Sequence, residues 1–395
     1  MALFVSILYK HFAFMNKILR YLISALSLYM CLICTSCISK QHISSNCVLM
    51  EESLNDELSL TAKQCRYVKL DSSKEECIIK HAERVLVSKD MIYIIDRSKN
   101  VIMAYDSNGN FVSSTKHYIG RAKNEYMTIL DATYDAENDE IYAYADNPSQ
   151  IMIFDKSLSL HEVVPTGQLI REIAVDNNHV YTLFYDITDY NDVKVELRSY
   201  DKGQWSDYNV LLEQNNILNG VGSIGKFMTS NNDCCCLSMP FDNHIYILKN
   251  GQIEEAWEID FDGKWFDFAS SKDIDPRAFE NRNKGKVQCI TNICCTDSIL
   301  MFNTNMYKYY LVSKSTLKGR IYSDMHISDV AFSTPVFTPA CGSKGLFIEM
   351  VNPARIIDYV KTYEEKGLVF PNEEMRNLYK SFSLDDNPML IICDF

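Results

Sequence analysis

Paired β runs recurring along the chain, short turns inside each pair and one helical stretch near the C-terminus predict an all-β protein, a six-bladed β-propeller with a small helical insert in the last blade. The pairs are explicit. Met91-Ile-Tyr-Ile-Ile-Asp96 is followed by Val101-Ile-Met-Ala-Tyr-Asp106 and then by Asn108-Gly109, a turn dipeptide that tolerates positive φ. Residues 141–146 pair in the same way with 151–155, and 180–186 with 195–201. Fainter copies follow at 236–239 with 244–249, 298–302 with 307–312, and 345–350 with 389–394. The first strands start near Ile92, Ile141, Val180, Cys236, Ile299 and Leu346, roughly 51 residues apart, which is the length of a unit of four strands.

Each pair then supplies the two middle strands of a blade. The innermost strands precede them at 82–87, 130–134, 172–175, 226–229, 287–291 and 335–338. The last blade ends with the chain and lacks an outer strand, while 66–70 is a β run without a partner of its own. Pairing these two closes the ring and removes an exposed edge. The helical stretch lies inside the last blade over 353–383: Ile356, Ile357, Val360 and Tyr363 stand at helical spacing behind Pro353, and a second helix is expected at 373–382.

The N-terminal segment has a different character. No acidic residue precedes Glu51, and from Met15 the chain reads Met-Asn-Lys-Ile-Leu-Arg20, then an apolar run over 21–33, then Cys34-Thr-Ser-Cys37. A short basic start, an apolar stretch and small residues before a cysteine have the form of a lipoprotein signal, so 1–36 is assigned as signal peptide, with Met15 as an alternative start. Cys37 is the lipidation site of this reading. Cys34, cleavage without lipid, and an uncleaved anchor lengthened by 2–14 remain alternatives. Residues 37–60 form a lipid-anchored tether and 61–395 the propeller.

Composition narrows the function. The chain holds 395 residues, 47% hydrophobic, with 52 acids against 39 Lys and Arg and a net charge of −13. Disorder is excluded, and no basic face is present to release counterions from nucleic acid. Loss of 1–36 removes Lys10, Lys17 and Arg20 and no acid, so the remainder is more acidic still.

Setting aside Cys31, Cys34 and Cys37, an odd number of cysteines remains, which argues against a complete disulfide framework. Cys234-Cys235-Cys236 and Cys294-Cys295 lack the CxxC spacing of a tetrahedral metal site and read as small apolar fillers in sheets.

With the order of elements established, a resemblance can be named. The signal, the Met91–Asp96 and Ala104-Tyr-Asp-Ser-Asn-Gly109 runs, then Gly120-Arg-Ala-Lys-Asn-Glu-Tyr126 and the closing Asp385-Asp-Asn-Pro-Met-Leu390 resemble the six-bladed β-propeller lipoproteins of Bacteroidota, which are NHL- and TolB-like propellers. Ala122, Lys123 and Asn124 depart from the family's Gly- and Pro-richer motif. The resemblance implies a fold and an envelope location and brings no common activity; no acidic cluster follows Cys37, which favours a periplasm-facing position on the inner or outer membrane over the cell surface.

Function on a propeller gathers where the innermost strands enter the central channel. The ligand-binding candidates there are His81, Glu83, Arg84, Arg121, Glu125, Asp131, Arg171, Glu172 and Lys226. The expected role is a monomeric, membrane-tethered binding or scaffold protein for a protein, peptide or glycan. No catalytic residue, metal or cofactor is assigned. The alternative is a hydrolase or lyase at the channel, in one form calcium-dependent, with Glu83, Asp131, Glu172 and Asn292 supplying oxygens. Against it, the chain has no Gly-x-Ser-x-Gly, and Asp106-Ser-Asn-Gly-Asn110 places its glycine too early for an EF-hand.

Overall fold

The computed structural model describes residues 45–54, 57–189, 192–217, 225–230, 234–266, 283–327, 338–339, 346–370 and 372–394. The signal, Cys37 and most of 335–338 lie outside the described residues. Three strands come first: β1 (Ser45–Glu52), β2 (Glu57–Leu60) and β3 (Gln64–Lys69). Antiparallel meanders follow. The first is β4 (Ala82–Val87), β5 (Met91–Asp96), β6 (Val101–Asp106) and β7 (Phe111–Ser114); the second is β8 (Thr128–Asp135), β9 (Glu140–Asp146), β10 (Gln150–Asp155) and β11 (Leu160–Pro165). The third runs β12 (Ile170–Val175), β13 (His179–Asp189), β14 (Asp192–Asp201) and β15 (Asn209–Ile217). The fourth is β16 (Met228–Ser230), β17 (Cys235–Leu237), β18 (His244–Lys249) and β19 (Gln252–Asp260), and the fifth β20 (Ile290–Cys295), β21 (Ile299–Thr304), β22 (Tyr309–Ser313) and β23 (Lys318–Tyr322). Then come β24 (Asp324–Ile327), β25 (Thr338–Pro339), β26 (Leu346–Val351), the helices α1 (Pro353–Glu365) and α2 (Glu373–Lys380), and β27 (Met389–Asp394).

The fold is all-β, made of small sheets, with α1 and α2 as its α-helices among the described residues. No helix among them is long and apolar enough to cross a membrane. Strand alternation explains the core. The middle strands of the meanders carry apolar residues on both faces, and these faces pack on the neighbouring sheets. Tyr93, Ile95 and Ile102 of the first sheet pack with Ala132, Ala143 and Met152 of the second. Tyr142 and Ile151 of the second pack with Ile173 and Val180 of the third. The series continues to the last sheet, where Ile348, Leu390 and Ile392 pack against Val85, Ile92 and Met103 of the first.

That last sheet has the order β25-β26-β27-β3, so the run expected to complete it is β3, paired antiparallel to β27 from Lys69↔Met389 to Gln64↔Asp394. A second set of bonds ties the junction. The buried Asn387 accepts from the Ile79 amide at 2.7 Å and donates to the Asp71 and Cys77 carbonyls at 2.7 and 2.8 Å. Asp386 accepts from Ser72 Oγ at 2.5 Å and from the Ser383 amide at 2.7 Å, with Lys69 Nζ at 3.1 Å. Burial opposes the Asp386 charge, yet these bonds prevail and hold its pKa down to about 2. The turn of Asn108-Gly109 locks onto the same junction. Gly109 has φ +89°, and a Cβ there would stand 2.2 Å from the Lys69 carbonyl oxygen. Asp106 Oδ1 caps that turn by accepting from the amides of Asn108 and Asn110, so the would-be calcium loop is a hairpin turn.

Two details differ from the sequence reading. The inner strand expected at 287–291 forms at Ile290–Cys295, because Val287 bridges to Trp265 instead. Part of the stretch assigned as tether is strand. β1 pairs in parallel with β19 through Leu49 and with β23 from Met50, joining the fourth and fifth meanders into one nine-stranded sheet, and β2 pairs in parallel with β24. Val48 and Met50 are buried while Cys47 and Leu49 face out, so the segment has one inward face and covers two strand edges. Asn352 and Asn372 cap the two helices, and Ile356, Tyr379 and Phe382 pack in one cluster with Val351 and Met389.

Asn387→Ala leaves buried carbonyls and an amide unpaired and is expected to cost about 2–4 kcal/mol in urea unfolding. The carboxylate of Asp386 is stabilised in the folded state, so its contribution is full above the unfolded pKa of about 4 and lost as pH falls towards about 2. Asp386→Asn should flatten that acid limb in melting temperatures recorded between pH 5 and pH 2.

Candidate functional site

The first strands of the five meanders, β4, β8, β12, β16 and β20, bring polar residues in and beside them together, and the backbone geometry there repeats. Register shifts interrupt β4 between Ala82 and Arg84, β8 between Ile129 and Asp131, β12 between Ile170 and Glu172, and β20 between Thr291 and Cys294. A bulge inserts a residue, bends the strand and re-aims the side chain that follows. Here the residues that follow the shifts in the first three sheets are Arg84, Asp131 and Glu172, all buried.

Arg84 is 4% exposed and donates from Nη1 to Asp131 Oδ2 at 3.1 Å and to the Ala132 carbonyl at 3.2 Å, while Nη2 donates to the Met228 carbonyl at 2.7 Å. Asp131 Oδ2 also accepts from the Ile173 amide at 2.9 Å. Its other oxygen has Lys226 Nζ at 3.4 Å as an ion-pair partner, outside hydrogen-bonding geometry. Both oxygens of Glu172 are occupied, accepting from the Phe227 and Met228 amides at 3.0 and 2.7 Å. Lys226 Nζ reaches Glu83 at 3.2 Å, and Glu83 in turn stands 3.5 Å from the exposed His81.

The charges adjust to this company. Burial raises the Glu172 pKa, with Lys226 opposing and Asp131 adding to the rise. For Lys226, burial works against the ammonium, but Asp131, Glu172 and Glu83 outweigh it and raise its pKa. Burial also opposes the Glu83 carboxylate, and the adjacent Lys226 brings its pKa down nonetheless. Cations and carboxylates thus answer each other inside the cluster, and it reaches solvent through His81 and, partly, through Glu83 and Lys226.

Of the residues singled out from sequence, His81, Glu83, Arg84, Asp131, Glu172 and Lys226 form this connected group. Arg121 and Glu125 do not join it in any contact described. Glu125 Oε2 accepts from the Ala122 amide at 2.7 Å within its own turn, and Arg121 is exposed on that turn. Arg171 is the bulged residue of β12, exposed, with its guanidinium 4.8 Å from the Tyr185 ring centre.

The structure adds Asn292, weighed above only as a calcium ligand. At φ 50° its Oδ1 accepts from the Lys226 amide at 3.0 Å, and Nδ2 donates to Asn303 at 3.4 Å. Gly225, at φ +102°, makes room: a Cβ would stand 2.4 Å from Asn292 Oδ1. Thr133 and Ser230 share a 2.7 Å hydroxyl hydrogen bond, and Thr229 donates to the Ile293 carbonyl. Their signal is a pair of polar residues, such as Thr291-Asn292, breaking an apolar β run. Among the described residues no group of three or more His, Cys, Asp or Glu is arranged to hold a metal ion.

A family model described as Domain of unknown function (DUF4934) matches residues 45–394. The fold is similar to the crystal structure of a protein from Bacteroides fragilis described as exported, at TM-score 0.55 and 12% identity, covering 85% of this chain and 98% of that one. The WD40 repeats of RRP9 align at TM-score 0.39 and 8% identity over 80% of each chain. The β-propeller domain of Cps50 (Swd1) from Myceliophteria thermophila aligns at TM-score 0.37 and 9% identity, over 65% of this chain and 68% of that domain. No match is found among the curated proteins.

Removing one partner of the buried pair leaves a charge uncompensated, so Arg84→Met is expected to lose about 3–5 kcal/mol in urea unfolding. Arg84→Met combined with Asp131→Leu should recover part of that loss, and a purely additive double mutant would show that the two groups do not act as a pair.

Proposed function

The chain belongs to the DUF4934 family, and we propose that it is a six-bladed β-propeller that acts as a binding or scaffold lipoprotein of the cell envelope. The observation that carries the ring is reach across its middle. Arg84 of the first sheet bonds the Met228 carbonyl of the fourth, Glu83 pairs with Lys226 beside that sheet, and Thr133 of the second meets Ser230 of the fourth. Sheets that only stacked in a row would keep the first and fourth apart. The cyclic packing of the last sheet against the first supports the same reading, with α1 and α2 as the insert of the sixth blade.

The ligand docks at the mouth of the channel, over His81, Glu83 and Lys226. Binding fits this site better than catalysis. Of the carboxylates in the enzyme reading, Glu172 commits both of its oxygens to backbone amides and keeps none for acid–base chemistry. Its chemistry favours a polar partner, a protein, peptide or glycan, recognised by the exposed His81 and Glu83. Lipid attachment at Cys37 tethers the protein to a membrane facing the periplasm, in keeping with the exported relative from Bacteroides fragilis.

Two measurements check this reading. Palmitate labelling in the native host should vanish in Cys37→Ala; labelling that persists moves the site to Cys34 or removes the lipid from the account. A thermal-shift screen of the purified protein against peptides and glycans should return a ligand whose stabilisation is lost in His81→Ala/Glu83→Ala. The double variant should still fold, because Asp131 continues to face Lys226, and its ligand response is read against its own melting temperature. A ligand response unchanged in it would place binding elsewhere.

A further inference from the structure

A second cluster of chemical groups lies away from the first, between the fourth and fifth meanders. In a strand, alternate residues share a face, so Cys234 and Cys236 point together while Cys235 points away and donates to the Val175 carbonyl at 3.2 Å. Cys294 and Cys295 of β20 divide in the same manner. Cys294 packs with Met301 and Val351, and Cys295 joins Cys236 and Cys234 in the core between β17 and β20. The thiols of Cys234 and Cys236 are within hydrogen-bonding reach of the Cys295 sulfur, and Lys314 Nζ donates to it at 3.0 Å. Glu255 of β19 lies near Lys314 and accepts from Trp257 Nε1 at 3.0 Å.

A thiol that accepts hydrogen bonds from two neighbours and stands against an ammonium is held as a thiolate. Hydrogen bonds from Cys234 and then Cys236 lower the Cys295 pKa far below the ordinary range, with burial opposing and Lys314 assisting. The neighbour Cys236 moves the other way, raised by its bonds to Cys234 and Cys295. Burial pushes Cys294 up to about 12. The ammonium argues against a cation here, because it would repel a metal ion at the same sulfur. Cys295 is 7% exposed, and the half-buried Cys234 and Lys314 border it towards solvent.

We propose that these residues form a redox-active thiol site in which Cys295 is the attacking thiolate, Cys234 the resolving thiol, and a low-molecular-weight disulfide the oxidant. The Cys295 thiolate attacks one sulfur of the small disulfide R–S–S–R, its S–S bond breaks, RS⁻ leaves and a mixed disulfide forms on Cys295. Cys234 then attacks the Cys295 sulfur, giving its proton to the departing RS⁻, and closes the Cys234–Cys295 bond. The protein loses two electrons, and the small disulfide is reduced to two thiols, taking up the Cys234 proton and one from water. Lys314 acts as a positioning residue that stabilises the thiolate.

The test uses full-length protein, limiting iodoacetamide at pH 6 and peptide mapping. Cys295 should be alkylated at least about ten-fold faster than the exposed Cys47, whose thiol is protonated there. Lys314→Met should slow it by about ten-fold, with Lys314→Arg restoring most of the rate. Oxidised glutathione should yield a peptide cross-linked through Cys234 and Cys295, and Cys234→Ser should stop at the glutathione adduct on Cys295. Equal reactivity of Cys295 and Cys47 in the folded wild type, or absence of both adduct and cross-link, overturns the proposal. A disulfide that still closes onto Cys295 in Cys234→Ser overturns the assignment of Cys234.

Discussion

The carboxylate of Asp131 is the point on which the inner strands depend. It accepts from Arg84, which belongs to the first meander, and from the Ile173 amide, which belongs to the third, and it faces Lys226 at the entry to the fourth. A carboxylate so enclosed cannot be left without its cations, since an unpaired buried charge costs a large part of the stability of a whole domain. The strands are therefore held at the separation that lets Arg84 span from Asp131 to the Met228 carbonyl. The bulges belong to the same constraint. A regular pleat would turn Arg84, Asp131 and Glu172 to the wrong face, and one inserted residue in each of β4, β8 and β12 corrects it.

A fold assembled from successive meanders leaves its first and last strands to be reconciled. Here β3 completes the last sheet, and Asn387 and Asp386 bind the chain that leaves it, so the two ends of the domain hold each other. The segment before β3 adds a further tie, because β1 lies in parallel between the outer strands of two meanders. Ion pairs from Glu52 to Lys264 and Lys308 and from Glu51 to Arg320 line that seam. Being exposed, they contribute little energy, and the buried Val48 and Met50 hold the strand instead.

Some of this was legible in residue order. Alternation and turn dipeptides marked the meanders, Pro353 and the spacing of Ile356 marked α1, and the orphan run at 66–70 pointed to its pairing with the last strand. Glu83, Arg84, Asp131, Glu172 and Lys226 were legible as channel candidates because charges are rare in runs that otherwise read as core. The strand at Ile290–Cys295 was misplaced towards 287–291 because Val287 is as apolar as its successors, and only its bridge to Trp265 separates it from them. β1 was hidden for a different reason. A strand that pairs in parallel with partners more than two hundred residues further along the chain has no local turn to announce it.

By itself the sequence determined the all-β class, the order of the meanders and the positions of the helices. These follow from periodicity and turn chemistry, which act over a few neighbouring residues. The tertiary structure decided which charges meet and which cysteines do. Arg84 and Asp131 are paired by bulges whose positions no local pattern marks, while Arg121 and Glu125, equally plausible on paper, stay in their turn. Cys234, Cys236 and Cys295 read as fillers in the chain, and their approach to Lys314 exists only once the fourth and fifth meanders pack on each other. Side chains distant in sequence acquire their chemistry from the strand register that joins them, and register is set by the packing of the whole sheet.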